Sequence, residues 1–305
     1  MDFTLSEELT SVQQLAQQIL TDFTAVDQLK AIEAQAERFD PTLWQALAEA
    51  GLLGLDVDEA QGGIDLGFYA LTSLCEEVGR TVAPVPVVPV LVSAGGTLRR
   101  FASDKQKDQW LTGIANGSHL VTAALEEYGN DDPSTPATTA QLIDGGCSIS
   151  GTKICVSNAG SAKRILLSAQ TGDELVVALV DPKAAGVSLV PQLVASGETR
   201  HELVMEGVQV PDEDIIARGG KALEAMHWVL QATRTALCAM TVGISDKMMR
   251  TTGSYTTERE QFGRPIATFQ AVSHRVADCY IDVECLKLVT QQAASLIDQG
   301  LSLIH

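Results

Sequence analysis

Apolar residues at Leu5, Leu9, Val12, Leu15, Ala16, Ile19 and Leu20 recur every three or four positions, which predicts an N-terminal helix with one buried face. A second helix is predicted to begin at Asp40-Pro41, an N-cap followed by a proline whose missing N–H would be unpaired there in any case. Its buried stripe is Leu43, Trp44, Leu47 and Ala48, and Gly51 supplies the stop. The turn Gly62-Gly63-Ile64-Asp65-Leu66-Gly67 leads into a helix through Leu71, Leu74, Cys75 and Val78 that ends at Gly79-Arg80. Because no strand precedes this turn within a βαβ unit, its glycines do not make a Rossmann phosphate loop. Two more helices are predicted over 88–101 and 104–116, the second capped by Asp104.

The texture changes at His119. Short β-branched runs over 120–125, 138–143, 147–150, 153–157, 164–169, 175–180, 187–190 and 202–210 alternate with turn chemistry, including the hairpin signal Asp144-Gly145-Gly146. Strands at this spacing predict an antiparallel barrel or sandwich of about a hundred residues. Long helical periodicity then returns over 219–258 and 267–299. The expected class is α+β, in three domains: residues 1–118 helical, 119–218 β, and 219–305 a helical bundle. Two long amphipathic helices cannot close a four-helix bundle, since each leaves an apolar stripe wet. This bundle is therefore expected to be incomplete, with either a partner covering it or further sequence missing.

Composition removes several classes of function. With 305 residues, 45% hydrophobic and 20% charged, the chain reads as an ordinary globular protein with room for two or three domains. Its most apolar stretch, 82–92, carries three prolines and is too short to span a bilayer as a helix. The acidic N-terminus lacks the basic region of a secretory signal, so a cytoplasmic location is expected. The six cysteines form no metal-ligand spacing and no disulfide framework. A formal net charge of −18 argues against nucleic acid. Any anionic ligand needs a local basic pocket, for which Arg218, Arg234, Lys247 and Arg250 are candidate cations.

The most informative run is 255–278, Y-T-T-E-R-E-Q-F-G-R-P-I-A-T-F-Q-A-V-S-H-R-V-A-D, which closes one long helix, turns through Phe262-Gly263-Arg264-Pro265 and opens another. It resembles the R-x-x-F-G-x-P-(L/I)-x-x-x-Q signature of the acyl-CoA dehydrogenase family, flavoproteins that remove hydrogen from the α and β carbons of acyl thioesters. Arg259, Phe262, Gly263, Pro265 and Gln270 stand in register. The resemblance implies FAD as cofactor. It implies that Arg259 pairs with the pyrophosphate while Phe262 and Gln270 pack against and hydrogen-bond the cofactor, across a subunit interface. A guanidinium fork suits phosphate oxygens, and a glutamine both donates and accepts. Standing alone, Arg259 would read as a solvated helix-end charge.

The similarity extends through the rest of the chain, whose order of helices, strands and helices matches the family plan. Gly62 to Gly67 and Glu76-Glu77-Val78-Gly79-Arg80 resemble the family's glycine turn and the end of the helix after it. Gly151 to Gly160 resembles the strand G-x-K-x-W-I-T-N-G/A, which lies against the flavin ring and here carries Cys155 and Ser157. Leu203 to Pro211 resembles the closing strand of the β domain. Arg234 corresponds to an arginine near the acyl-thioester site, although a bundle arginine paired with a carboxylate reads equally well.

The pattern breaks at the chemistry. Dehydrogenation needs a carboxylate base for the α proton and an acceptor for the β hydride. In the family that base is a glutamate, either on a loop beyond the elbow, which the chain ends too early to include, or on the helix beside Arg234. There, Gln231-Ala232-Thr233-Arg234 holds no carboxylate and Glu224 is nearly three turns away. No catalytic residue is therefore assigned. The family segment (V/L)-T-E-P-x-x-G-S-D aligns with Leu125 to Asp132, placing Leu125 and Glu126 at the flavin, where a carboxylate sits poorly beside an anionic reduced ring. Alternatively, Glu126, Glu127, Asp131 and Asp132 make a solvated acidic loop. Cys155 replaces a tryptophan, and Ser157 keeps the hydroxyl of a threonine.

The expected function is FAD-dependent α,β-dehydrogenation of an acyl-CoA, such as in fatty-acid or sterol side-chain β-oxidation. The resemblance implies a homo- or hetero-oligomer with a paralogous subunit and an electron-transfer flavoprotein-type acceptor. Rival readings are a truncated homotetrameric enzyme, a catalytically silent interaction subunit that lends Arg259, Phe262 and Gln270 to a paralogue, and a related flavin oxidase.

Overall fold

A computed structural model describes residues 6–301. In chain order it contains α1 (Glu7–Phe23), α2 (Val26–Glu33), α3 (Pro41–Glu49), α4 (Gly67–Thr81), α5 (Gly96–Phe101) and α6 (Asp104–Ala115). Eight strands follow: β1 (Val121–Ala124), β2 (Thr139–Ile143), β3 (Gly146–Ser157), β4 (Arg164–Thr171), β5 (Glu174–Val180), β6 (Val187–Gln192), β7 (Arg200–Pro211) and β8 (Ile215–Arg218). The chain closes with α7 (Gly219–Glu258), the two-residue strands β9 (Glu260–Gln261) and β10 (Arg264–Pro265), and α8 (Gln270–Asp298). This is an α+β fold with a helical N-terminal region, a central β-sheet domain and a C-terminal helical region.

The expected elements are present, with local corrections. Leu5 lies outside the described residues. Asp40 caps α3, its Oδ1 accepting from the N–H of Thr42 at 2.9 Å and of Leu43 at 3.0 Å. The cap of α6 is Ser103, not Asp104: its hydroxyl takes the Gln106 N–H while the Gln106 side chain returns to the Ser103 N–H, which leaves Asp104 as the first helical residue. The expected helix 88–101 is a π-helix over Val88–Gly95 continued by α5. The expected strands 147–150 and 153–157 are one strand, β3, bent by irregularities between Ile149 and Gly151 and between Lys153 and Val156.

In space, the chain forms two compact units. One comprises the described residues up to Thr24, Phe68–Ala83 and those from Thr235 onward; the other comprises Ala25–Gly67 and Pro84–Arg234. The second unit holds the sheet, ordered β6-β7-β3-β2-β4-β5-β8, with β1 beside β4. Its pairing is antiparallel except for β1 with β4 and a single rung of β2 with β4. The parallel pair departs from the antiparallel expectation because a long crossover lies between β1 and β4. Side chains of β3 and β7 (Ile149, Val156, Leu203, Met205, Val208) share one core with those of β4 and β5 (Ile165, Leu167, Val176, Ala178, Val180), so the curled sheet buries one face against itself.

The first unit is built on close helix contact. A methyl group added at Gly79 of α4 would collide with the Met240 carbonyl oxygen of α7, and one at Gly243 with the Glu76 carbonyl oxygen, so the backbones touch without intervening side chains. Arg80 bonds Glu76 at 2.7 Å and Glu77 at 3.1 Å on its own helix, and Asp246 on α7. Along α7 and α8, Ile244, Met248, Tyr255, Tyr280, Ile281, Leu288 and Val289 stay exposed. Among the described residues, no helix is long and apolar enough to cross a membrane.

Candidate functional site

Within the β-containing unit, β1 delivers Leu125, Glu126 and Glu127 in succession: half-buried, exposed and buried. The Glu126 carbonyl accepts the Ile154 N–H at 2.9 Å, which pins this segment beside β3. Glu127 does not belong to a solvated acidic loop. Its carboxylate takes the Lys153 ammonium at 2.7 Å, the Thr138 N–H at 3.0 Å and the Thr138 hydroxyl at 2.7 Å, together with the Ala137 N–H. Burial disfavours the charge, but the hydrogen bonds of Lys153 and Thr138 and the charge of Lys153 outweigh it and hold Glu127 at about 2. Lys153 stands at the lysine of the G-x-K pattern, in Gly151-Thr152-Lys153, on a strand with an inward face. A charge there needs a counter-charge, and that was the signal for the pair.

Cys155 occupies the second irregularity of β3 with φ of +55°. Both of its backbone groups are clamped by side chains: its N–H donates to Oε1 of Gln192 at 2.7 Å, and its carbonyl accepts from Nη1 of Arg200 at 2.9 Å. Burial, and after it the Glu126 carboxylate, raise the thiol pKa. Both effects disfavour the thiolate of Cys155. Ser157 is buried, and its hydroxyl is already donated to Oδ1 of Asn158 at 2.9 Å.

Arg234 pairs with Asp131 at 3.4 Å, with 61% and 84% of the two side chains exposed, so the guanidinium is tethered only weakly. The neighbouring Thr233 bonds hydroxyl to hydroxyl with Ser93 of the π-helix at 2.8 Å. Sequence periodicity could not reveal this contact, because a π-helix repeats at neither the α nor the β period.

In the other unit the expected helical elbow is a hairpin. Gln261 pairs with Arg264 and Glu260 with Pro265, and the two loop residues, Phe262 and Gly263, have φ of +55° and +75°. That is the φ pattern of a type I′ turn, whose twist suits two antiparallel strands. The Ile266 N–H donates to the Arg259 carbonyl at 2.8 Å and closes the base of the hairpin. Arg259 and Gln270 are exposed, and their side chains have no hydrogen-bond or ion-pair partner among the described residues.

The FAD expected from the resemblance is thus met unequally. An unpaired guanidinium at the base of the hairpin and a free amide at the start of α8 suit a diphosphate. The seat for a flavin ring fits poorly: Glu126 adds an exposed carboxylate, the Ser157 hydroxyl is committed elsewhere, and Cys155 offers a small thiol.

Residues 6–118 match "Acyl-CoA dehydrogenase, N-terminal domain" and residues 220–302 match "Acyl-CoA dehydrogenase, C-terminal domain". The chain is 36% identical to the acyl-CoA dehydrogenase FadE28 of Mycobacterium tuberculosis over 81% of its own length and 69% of that protein. Among solved structures, the Tcur3481-Tcur3483 steroid ACAD G363A variant superposes with a TM-score of 0.90 at 41% identity, covering 97% of this chain and 80% of that one. The ChsE4-ChsE5 complex from Mycobacterium tuberculosis does so with a TM-score of 0.91 at 28% identity, covering 98% and 80%.

Proposed function

This chain belongs to the acyl-CoA dehydrogenase family, and from that premise we propose that it serves as one subunit of a hetero-oligomer that dehydrogenates a steroid-type acyl-CoA. Its contribution is the hairpin that it lends to an FAD site shared with a paralogous subunit. The observation that carries this reading is the unpaired Arg259 guanidinium on a fixed type I′ hairpin, in a chain otherwise rich in acid.

The residues that would hold FAD are Arg259, neutralising the diphosphate, Gln270, bonding a polar edge, and Phe262, packing on the cofactor. The chemistry that FAD supplies when bound is acceptance of the β hydride of the acyl group. Arg234, free to exchange Asp131 for an anionic or carbonyl oxygen, orients the thioester. We place the glutamate base on the paralogue, a choice supported by the absence of a carboxylate in Gln231-Ala232-Thr233-Arg234. The uncovered apolar positions of α7 and α8 support an assembly. The similarity to the two-component Tcur3481-Tcur3483 steroid ACAD and to the ChsE4-ChsE5 complex supports a paralogue as the partner, and the first of them supports a steroid as the acyl class.

A second reading, favoured by the poor ring seat around Glu126, Cys155 and Ser157, is a catalytically silent subunit whose own β domain holds no flavin. Flavin content tests the proposal. Expressed alone and then with the paralogue, the chain should be colourless alone and yellow in the complex, and Arg259→Ala should strip flavin from the complex without dissociating it. Undiminished flavin and turnover in Arg259→Ala would sink the proposal, and a chain that is yellow and active by itself would sink the requirement for a partner.

A further inference from the structure

A bulky L-residue with φ of +55° is an outlier, and Phe262 combines that conformation with 93% exposure. Glycine or asparagine would make the same turn without strain, and burial returns nothing to a ring standing in water. Little backbone pairing holds the turn in place. The hairpin has two rungs, and in one of them Pro265 has no N–H to donate. Side chains supply the remainder. The Phe269 ring meets Phe262 edge to face, centroids 6.1 Å apart at 84°, and the Arg264 guanidinium carbon lies 4.2 Å from the Phe269 centroid. The three groups form a tier of cation, ring and ring in which the second ring is polarised from one side while it supports the first.

We propose that Arg264 and Phe269 are positioning residues, which hold the exposed Phe262 ring in the one orientation that packs against the cofactor shared with the paralogous subunit. The inference rests on the reading that this hairpin is lent across a subunit interface. Arg264 then acts without touching a phosphate, and its role differs in kind from that of Arg259. The strained turn is fixed before assembly, so the complex need not order the ring when it forms.

The test uses the co-expressed complex carrying Phe262→Ala, Arg264→Met, Arg264→Lys or Phe269→Leu, with FAD affinity read by quenching of flavin fluorescence and assembly by gel filtration. Arg264→Met and Phe269→Leu should weaken FAD binding about three- to fivefold, with helix content and assembly unchanged. Arg264→Lys should recover most of the affinity, because an ammonium keeps the cation over the ring. If Phe262→Ala weakens FAD binding and Arg264→Met does not, the positioning role is wrong while the lent hairpin stands. If Phe262→Ala binds FAD like the unaltered complex, the underlying reading fails. An Arg264→Lys complex as weak as Arg264→Met would make Arg264 a guanidinium ligand and overturn the proposal. So would loss of assembly by a folded Arg264→Met chain, since the tier would then serve docking.

Discussion

Lys153, whose side chain is 0% exposed, donates its ammonium to Oε1 of Glu127 at 2.7 Å, and this pair fastens the segment after β1 to the middle of β3. Both candidate ring contacts in this region, Leu125 and Cys155, lie within two residues of the pair. Their placement therefore depends on a buried charge pair.

Glu127→Ala should destabilise the protein by roughly 3 to 5 kcal/mol, because it strands a buried ammonium. Adding Lys153→Met should recover much of that loss but not all, since the Ala137 and Thr138 N–H groups still lack their acceptor. Urea unfolding of both variants measures the difference.

Acid should expose the same pair. The folded-state pKa of Glu127, about 2, lies below the ordinary 4.5, so the unfolded chain binds the proton first. The contribution is complete above about pH 5 and is lost as pH falls through 4.5 toward 2. Unfolding midpoints from pH 7 to 3 should show this decline for the unaltered chain and a shallower one for Glu127→Ala.

Gly79→Ala and Gly243→Ala should each cost about 1 to 3 kcal/mol, although alanine is the better helix former by about 1 kcal/mol. At both sites the added methyl meets backbone that no rotamer change can move. Thermal melts should show both variants less stable, and an unchanged midpoint would refute the backbone contact.

Thiol reactivity should divide the exposed from the buried cysteines. Cys238, Cys279 and Cys285 are exposed, whereas Cys75 is buried with its thiol pushed up to about 12 and Cys147 is buried with its thiol raised. An aromatic disulfide reagent should modify the first three in the folded chain, with Cys75 and Cys147 reacting only after urea is added.

Asp131→Ala should change stability by less than about 0.5 kcal/mol, because the Arg234 pair is exposed and long. It should leave the arginine free for acyl-CoA. A large loss in a urea titration would show that Arg234 is structural and end its candidacy as a substrate contact.

The order of helices, strands and helices was legible in the sequence because apolar period and turn chemistry are local properties, as Asp40-Pro41 and Asp144-Gly145-Gly146 illustrate. The spacing of Arg259, Phe262 and Gln270 was legible for the same reason: five ordered residues around one turn need no distant partner to be read. Tertiary structure alone decided that Glu127 is a buried anion paired with Lys153 and that Thr233 meets Ser93. Each of these depends on a group brought close by the path of the chain through space, and a carboxylate or hydroxyl carries no mark in sequence of whether its partner will be water or a side chain from another element.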